Sequence, residues 1–309
     1  MAGTGRTTPD EQAPWRVAVL GPGAVGGLFG AQLARRGDDV ICLARPATAG
    51  HIARHGLRLR SKMLGDAEVA VRAATRLEEP VDACVVTVKA TQLERAMEAV
   101  PPAVLGDGLV VPFLNGVDHV AWLRRRYPPE QVVAATVAVE STRVAPGVIQ
   151  HDSPFVVVQV AHGPADPARV EELARRLAAL GLDVTVRDSE AFALWSKLAM
   201  LAPMALTCTW AGAPIGETRR RHHDELVAAI REAAQVAAAE GVELDAEATI
   251  QRVEGFPAGM KPSMLKDAEA GRPMEVDAIG GALLRAAARA GIDVPVTAKL
   301  VADLHARSG

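Results

Sequence analysis

Lys197 is the only charge in LWSKLAMLAPMALTCTW, residues 194–210. Removing an ammonium from water costs several kcal/mol unless a partner or a function compensates. Read alone, its stem can run along apolar surface while its head stays in water. A second chemical signature is VAVLGPGAVGGLFG, where Gly21, Gly23 and Gly26 fall in G-x-G-x-x-G register after an apolar run and at the opening of a helical pattern. In that setting the loop Gly21, Pro22, Gly23, Ala24, Val25, Gly26 reads as a dinucleotide cradle. Gly21 allows the tight turn, Gly23 lets backbone approach a pyrophosphate, and Gly26 permits close helix packing with the phosphates at the helix N-terminus. About 20 residues on, an NAD site places an acid for the ribose 2′-hydroxyl, but here VICLARP carries Arg45. A guanidinium pairs with a 2′-phosphate, so NADP(H) is the expected cofactor; the other reading of Arg45 is an exposed arginine at a strand end.

The elements that must position these groups show in the pattern of apolar runs. From Arg16 the chain reads RVAVL, the glycine turn, VGGLFGAQLARRG and DDVICLA; after an irregular stretch come DACVVTVK, GLVVPFLNG and QVVAATVAVE. Short apolar runs bounded by Gly, Pro and Asp, with helical patterns between several of them, predict a mostly parallel sheet in βαβ units. FVVVQV (155–160), ARVEELARRLAALG (168–181) and LDVTVRD (182–188) extend the pattern to about residue 188. Beyond it, alanine-rich helical patterns take over at 223–241, 274–290 and 295–306. The expected fold is α/β, with an N-terminal Rossmann-like, mostly parallel sheet and a C-terminal all-helical domain. The expected boundaries are a flexible tail at 1–14, a cofactor domain at 15–188 and a helical domain at 189–309. Asp188-Ser189 offers an N-cap for the helix carrying Lys197, which puts that lysine at the start of the second domain, beside the cleft.

Composition excludes several other functions. With 309 residues, 49% hydrophobic, 23% charged and a net charge of −3, the chain reads as a soluble globular protein without a basic field for nucleic acid. Cys42, Cys84 and Cys208 lie in apolar runs with no C-x-x-C spacing, which suggests reduced thiols in a cytoplasmic protein. His222-His223 has no further ligand at helical spacing, so no metal site is expected. Residues 1–14 are polar and lack an apolar signal segment. Leu198–Gly216 is uncharged but weakly hydrophobic and contains Pro203, so a buried helix and turn are expected there, not a membrane span.

GPGAVGGLFGAQLARRGDDVICLARP, VVTVKATQ, LNGVDH, the WSKL helix and KPSMLKDAEAGRPMEVDAIGG follow one another in this chain. In these motifs, over most of residues 16–305, it resembles the 2-dehydropantoate 2-reductase (ketopantoate reductase) family. The resemblance implies an NADP-binding Rossmann domain, a helical domain that often contributes to a homodimer, and reduction of a small 2-keto acid between the two. It places Gly21, Gly23, Gly26, Arg45 and Lys89 on the cofactor, and Asn115 beside nicotinamide and substrate. Lys197 becomes the general acid, Ser263 a contact to the substrate carboxylate, and Glu275 a contact to the reacting oxygen or a support for the lysine. Read from chemistry alone, Ser263 also suits an N-cap and Glu275 a helix first turn; Asp277 is assigned a structural part.

The chain departs from the family where asparagines normally stand four and eight residues after the lysine. Here Leu201 and Ala205 occupy those positions, turning an amide-lined stripe apolar. Each lost hydrogen bond is worth about 0.5–1.5 kcal/mol. Leu114 replaces a common Gln and Gly280 a common Asn. Three readings follow: reduction of ketopantoate itself, reduction of another keto acid or ketone whose apolar tail packs on Leu201 and Ala205, or a non-catalytic NADPH-binding sensor. Retention of Lys197, Ser263 and Glu275 argues against the sensor, because cofactor binding needs none of them.

Overall fold

The glycine turn leaves the end of β1 (Arg16–Leu20), the central strand of an all-parallel five-stranded sheet. The structure is a computed structural model that describes residues 13–307; residues 1–12 of the expected tail lie outside the described residues. Beside β1 are β2 (Asp39–Leu43) and, beyond β3 (Leu57–Ser61) and β4 (Ala67–Val69) in sequence, β5 (Arg72–Ala74), β6 (Ala83–Val86) and β7 (Leu109–Pro112). Strand order is β5-β2-β1-β6-β7. β6 and β7 are buried along their whole length, as strands covered on both faces must be.

The later strands do not extend this sheet, as their apolar runs had suggested. β8 (Ala135–Ala138), β11 (Val157–Ala161) and β12 (Asp183–Arg187) form a second sheet, joined to the first by one bridge, Val110 to Val132. β9 (Ser141–Ala145) and β10 (Val148–His151) pair with β3 and β4 in a third. The third sheet runs through the stretch read as irregular. Its strand LRLRS alternates buried and exposed, the mark of a sheet with one wet face, where Arg58 and Arg60 pair with Glu68 and Asp66. Its partner strand β4 has three residues, too short for a periodic signal.

Helix α1 (Ala24–Arg35) packs between the first and third sheets. A Cβ on Gly27 would meet Ile149 Cγ1 at 2.6 Å and one on Gly30 would meet Leu57 Cδ1 at 3.0 Å, so this glycine-rich face sets how closely the helix approaches. α2 (Pro46–His55), α3 (Leu93–Met97), α4 (Pro102–Leu105), α5 (Asp118–Arg124) and α6 (Pro167–Ala178) complete the sheet domain; Asp166 caps α6 by accepting from Ala168 N.

Helix α7 (Glu190–Ala211) joins the two halves. Ser189 Oγ accepts from Phe192 N, as a capping serine does, and Gly212 closes the helix in the left-handed conformation. Ala193 and Leu194 belong to the sheet-side core, whereas Trp195, Leu198 and Ala202 belong to the helical core. By length and composition α7 could cross a membrane, but 67% of its most apolar window is buried inside the protein. Around it pack α8 (Ile215–Arg221), α9 (His223–Ala239), α10 (Ala246–Glu254), α11 (Ser263–Glu269), α12 (Ala282–Ala290) and α13 (Pro295–Ala306). The helix expected from 274 opens instead with a π-helical turn, Asp277–Gly281, which leaves Glu275 in the irregular segment before it.

Candidate active site

At the carboxyl ends of β1, β6 and β7 three loops emerge side by side, where open α/β sheets hold ligands. The glycine turn is tied down by its neighbours: Gly21 N donates to Leu43 O, and Thr87 Oγ1 donates to Leu20 O and Gly21 O. Gly21 has φ +83°, and a Cβ there would meet Val88 Cγ1 at 2.6 Å. A Cβ on Gly26 would lie 2.5 Å from Gly21 O. Gly23 differs, because a Cβ there would meet only Gly21 O, at 3.8 Å. Internal packing therefore does not require a glycine at 23, whereas close approach of a ligand does. Gly23 also caps α1, whose first turn, opening with Ala24, Val25 and Gly26, holds no acid and has no side-chain cap. The N-terminus of α1 is thus suited to an anion, and these residues fit a dinucleotide pyrophosphate.

Arg45 follows β2 as the N-cap residue of α2, exposed, and makes no ion pair among the described residues. Lys89, after β6, donates to Asp267 Oδ2 at 2.5 Å and to Pro273 O at 3.3 Å. Asn115, after β7, stands between two charges. Its Oδ1 accepts from Lys197 Nζ at 3.1 Å, and its Nδ2 donates to Glu275 Oε2 at 3.2 Å. An ammonium only donates and a carboxylate only accepts, so the two charges fix the amide's orientation. Glu275 is 7% exposed, and its Oε1 accepts from Ala90 N at 2.9 Å. Both carboxylate oxygens therefore have donors, which offsets the cost of burying that charge. Glu275 and Lys197 are linked through Asn115, and no direct ion pair joins the two among the described residues.

Burial pushes the Lys197 ammonium down to about 8, with Glu275 working in the opposite direction. The turn carrying Asn115 is fixed by Gly116, whose φ is +85° and whose missing Cβ would collide with the Ala278 carbonyl oxygen on the π-helical turn. Ser263 opens α11 exposed, one turn before Asp267; it does not act as the N-cap, a position held by Pro262.

Two substitutions read as pocket features look different in three dimensions. Leu201 is partly buried against the helical cores. Ala205 is 1% exposed inside the helical core and offers no surface to a ligand, because α7 runs from the cleft into the second domain and carries the stripe with it. Leu114 is likewise a core residue at 2% exposure. Gly280 is confined, since a Cβ there would collide with Val301 Cγ2. Sequence reasoning missed Asp267, the Ala90 N–H, and Arg285, which pairs with both Asp118 and Asp277. Their partners are distant in sequence, so the periodicity around them does not separate site from surface.

The family model described as Ketopantoate reductase PanE/ApbA matches residues 17–162, and its C-terminal counterpart matches residues 192–308. The 2-dehydropantoate 2-reductase of Caulobacter vibrioides is 32% identical over 94% of this chain and 98% of its own length. The chain belongs to the ketopantoate reductase family. Among solved ketopantoate reductases, 2-dehydropantoate 2-reductase from Geobacter metallireducens superposes with a TM-score of 0.87 at 27% identity, covering 94% of this chain and 99% of its own. D-mandelate dehydrogenase in its ternary structure with NADH and anilino(oxo)acetate gives 0.87 at 25% identity, covering 95% and 98%. The C-terminal match begins at residue 192, two residues into α7, the helix that carries Lys197.

Proposed function

We propose that the chain is an NADPH-dependent reductase that converts a 2-keto acid to the 2-hydroxy acid, with Lys197 as general acid. The observation that carries this reading is the linked set Lys197, Asn115 and Glu275 beside the glycine turn. A nicotinamide held at this site would supply hydride. Lys197 supplies the proton to the carbonyl oxygen, and its cationic N–H stabilises negative charge building there. Asn115 holds the ammonium from one side and is itself held by Glu275. Ser263, exposed at the start of α11, donates to the substrate carboxylate. Gly21 to Gly26 cradle the pyrophosphate, and Arg45 pairs with the 2′-phosphate that distinguishes NADPH from NADH. Lys89 joins the cofactor side.

The apolar Leu201 favours a substrate other than ketopantoate, one whose hydrocarbon tail lies along α7. The fold likeness to D-mandelate dehydrogenase, crystallised with an aryl-bearing ligand, supports a 2-keto acid with an apolar substituent. The thiols of Cys42 and Cys84, pushed up to about 12 by burial, are unreactive and suit a reducing cytoplasm.

The test is NADPH oxidation across a panel of aliphatic and aromatic 2-keto acids and simple ketones, with Lys197→Ala as control. Turnover of a 2-keto acid that falls by about 10²–10⁴ in the alanine variant is the expected result. Binding of NADPH without oxidation by any substrate would overturn the proposal in favour of a sensor, and efficient turnover of ketopantoate above all others would overturn the apolar substrate.

A further inference from the structure

Helix α1 crosses the third sheet strand by strand. A Cβ on Gly30 would meet Leu57 of β3 at 3.0 Å, and one on Gly27 would meet Ile149 of β10, the next strand over, at 2.6 Å. Three helical residues advance about 4.5 Å, close to the ~4.8 Å between paired strands. One strand further is β9, the edge of the sheet. It therefore comes level with Ala24, the first residue of α1, and the two elements are in contact. The Cα partner of Ile149 on β9 is Arg143. Directly opposed residues of an antiparallel pair share one face of the sheet, so Arg143 lies with Ile149 on the α1 side. Arg58 and Arg60 lie on the other, wet face and pair with acids. Arg143 is exposed and makes no hydrogen bond or ion pair among the described residues. A bulge adjoins it, because Val144 is the extra residue between the Ala145–Val148 and Arg143–Ile149 pairs, and bulges re-aim the side chains beside them.

We propose that Arg143 is a further cofactor-binding residue, its guanidinium supplying the counter-charge for the dinucleotide pyrophosphate at the N-terminus of α1. The inference rests on the glycine turn holding a dinucleotide. A pyrophosphate carries two negative charges, whereas a helix N-terminus offers about half a positive one. The turn GPGAVG contains no charged side chain. Lys89 is paired with Asp267, and Arg45, after β2, is assigned to the 2′-phosphate. An unpaired arginine level with the first turn of α1 meets the remaining need, and its fork of N–H donors matches phosphate oxygens in pairs. The acid nearest to it in sequence is engaged elsewhere, since Glu140 pairs with Lys266.

The test is direct binding of NADPH and of NADH, by titration calorimetry, to the full chain and to its Arg143→Ala, Arg143→Lys and Arg45→Ala variants. Both dinucleotides carry the pyrophosphate, and only NADPH carries the 2′-phosphate. Arg143→Ala should raise Kd for both by the same factor, about tenfold or more, as loss of a charge-assisted contact does. Arg143→Lys keeps the charge without the fork and should raise both by less. Arg45→Ala should weaken NADPH alone. Because Arg143 is exposed and unpaired, its variants should melt with the wild type. Unchanged Kd values in Arg143→Ala would overturn the inference. So would a loss confined to NADPH, which puts Arg143 at the 2′-phosphate, or a lysine variant no tighter than the alanine one. A wild type that binds neither dinucleotide overturns the reading of the glycine turn instead, and is seen before any variant is made.

Discussion

Lys197 is held between two influences, since burial disfavours its charge and the Glu275 carboxylate favours it. The balance near 8 makes the ammonium a better acid than a free lysine while leaving it mostly protonated at neutral pH. A general acid works only when protonated, so kcat/KM for carbonyl reduction should be level below pH 7 and fall about tenfold per pH unit above about 8, measured as NADPH oxidation with the best keto acid. Arg45 is exposed and unpaired among the described residues, so its charge is available to a ligand. Arg45→Asp should move cofactor preference from NADPH toward NADH in a comparison of the two kcat/KM values; an unaltered ratio would remove Arg45 from the site. Leu201 touches the helical cores but is not fully buried, so a polar side chain there can reach the cleft side of α7. Leu201→Asn should raise kcat/KM for ketopantoate by about two- to tenfold, the worth of one hydrogen bond, and a lower value would count against a substrate stripe on this helix.

The elements explain why the reacting groups meet at all. β6 and β7 deliver Lys89 and Asn115 to one edge of the parallel sheet, α7 brings Lys197 from below, and the segment before the π-helical turn brings Glu275 from across the cleft. Pro203 lies inside α7 and lacks the N–H that would bond the Ala199 carbonyl. The close seat of Gly116 against Ala278 couples the Asn115 loop to the π-helical turn. Gly116→Ala would add both a collision and an L side chain at positive φ, a change that costs more than about 1 kcal/mol. A melting temperature lower by several degrees and a fall in kcat together are the expected outcome, read by thermal unfolding and steady-state kinetics. Retention of both would mean that the loop is not pinned there.

Across the whole molecule, polar links tie the sheet domain to the helical one: Lys89 to Asp267, Lys266 to Glu140, Asn115 and Ala90 to Glu275, and Arg285 to Asp118. Lys266–Glu140 and Arg285–Asp118 are exposed pairs and contribute little to stability; what they set is the relation between the domains. Arg285→Ala should therefore leave unfolding free energy within about 1 kcal/mol of the wild type in denaturant melts, while kcat/KM falls severalfold because the α5 end of the cleft is no longer clasped to Asp277. A large stability loss with unchanged kinetics would reverse that assignment.

What the sequence determined by itself was local. The glycine turn, the capping Ser189 and the alternation of short apolar runs with helices are set within a few residues by backbone sterics and burial, so the parallel sheet, the helical second half and the cofactor loop could be read in order along the chain. Family resemblance supplied Asn115, Ser263 and Glu275. The tertiary structure alone decided which strands share a sheet, since an apolar run carries no record of its partner. It also decided that Ala205 belongs to the core, and that Asn115 relays Glu275 to Lys197. Hydrogen bonds between residues 82 and 160 positions apart depend on where helices cross, and helix crossing is fixed by packing of side chains distant in sequence.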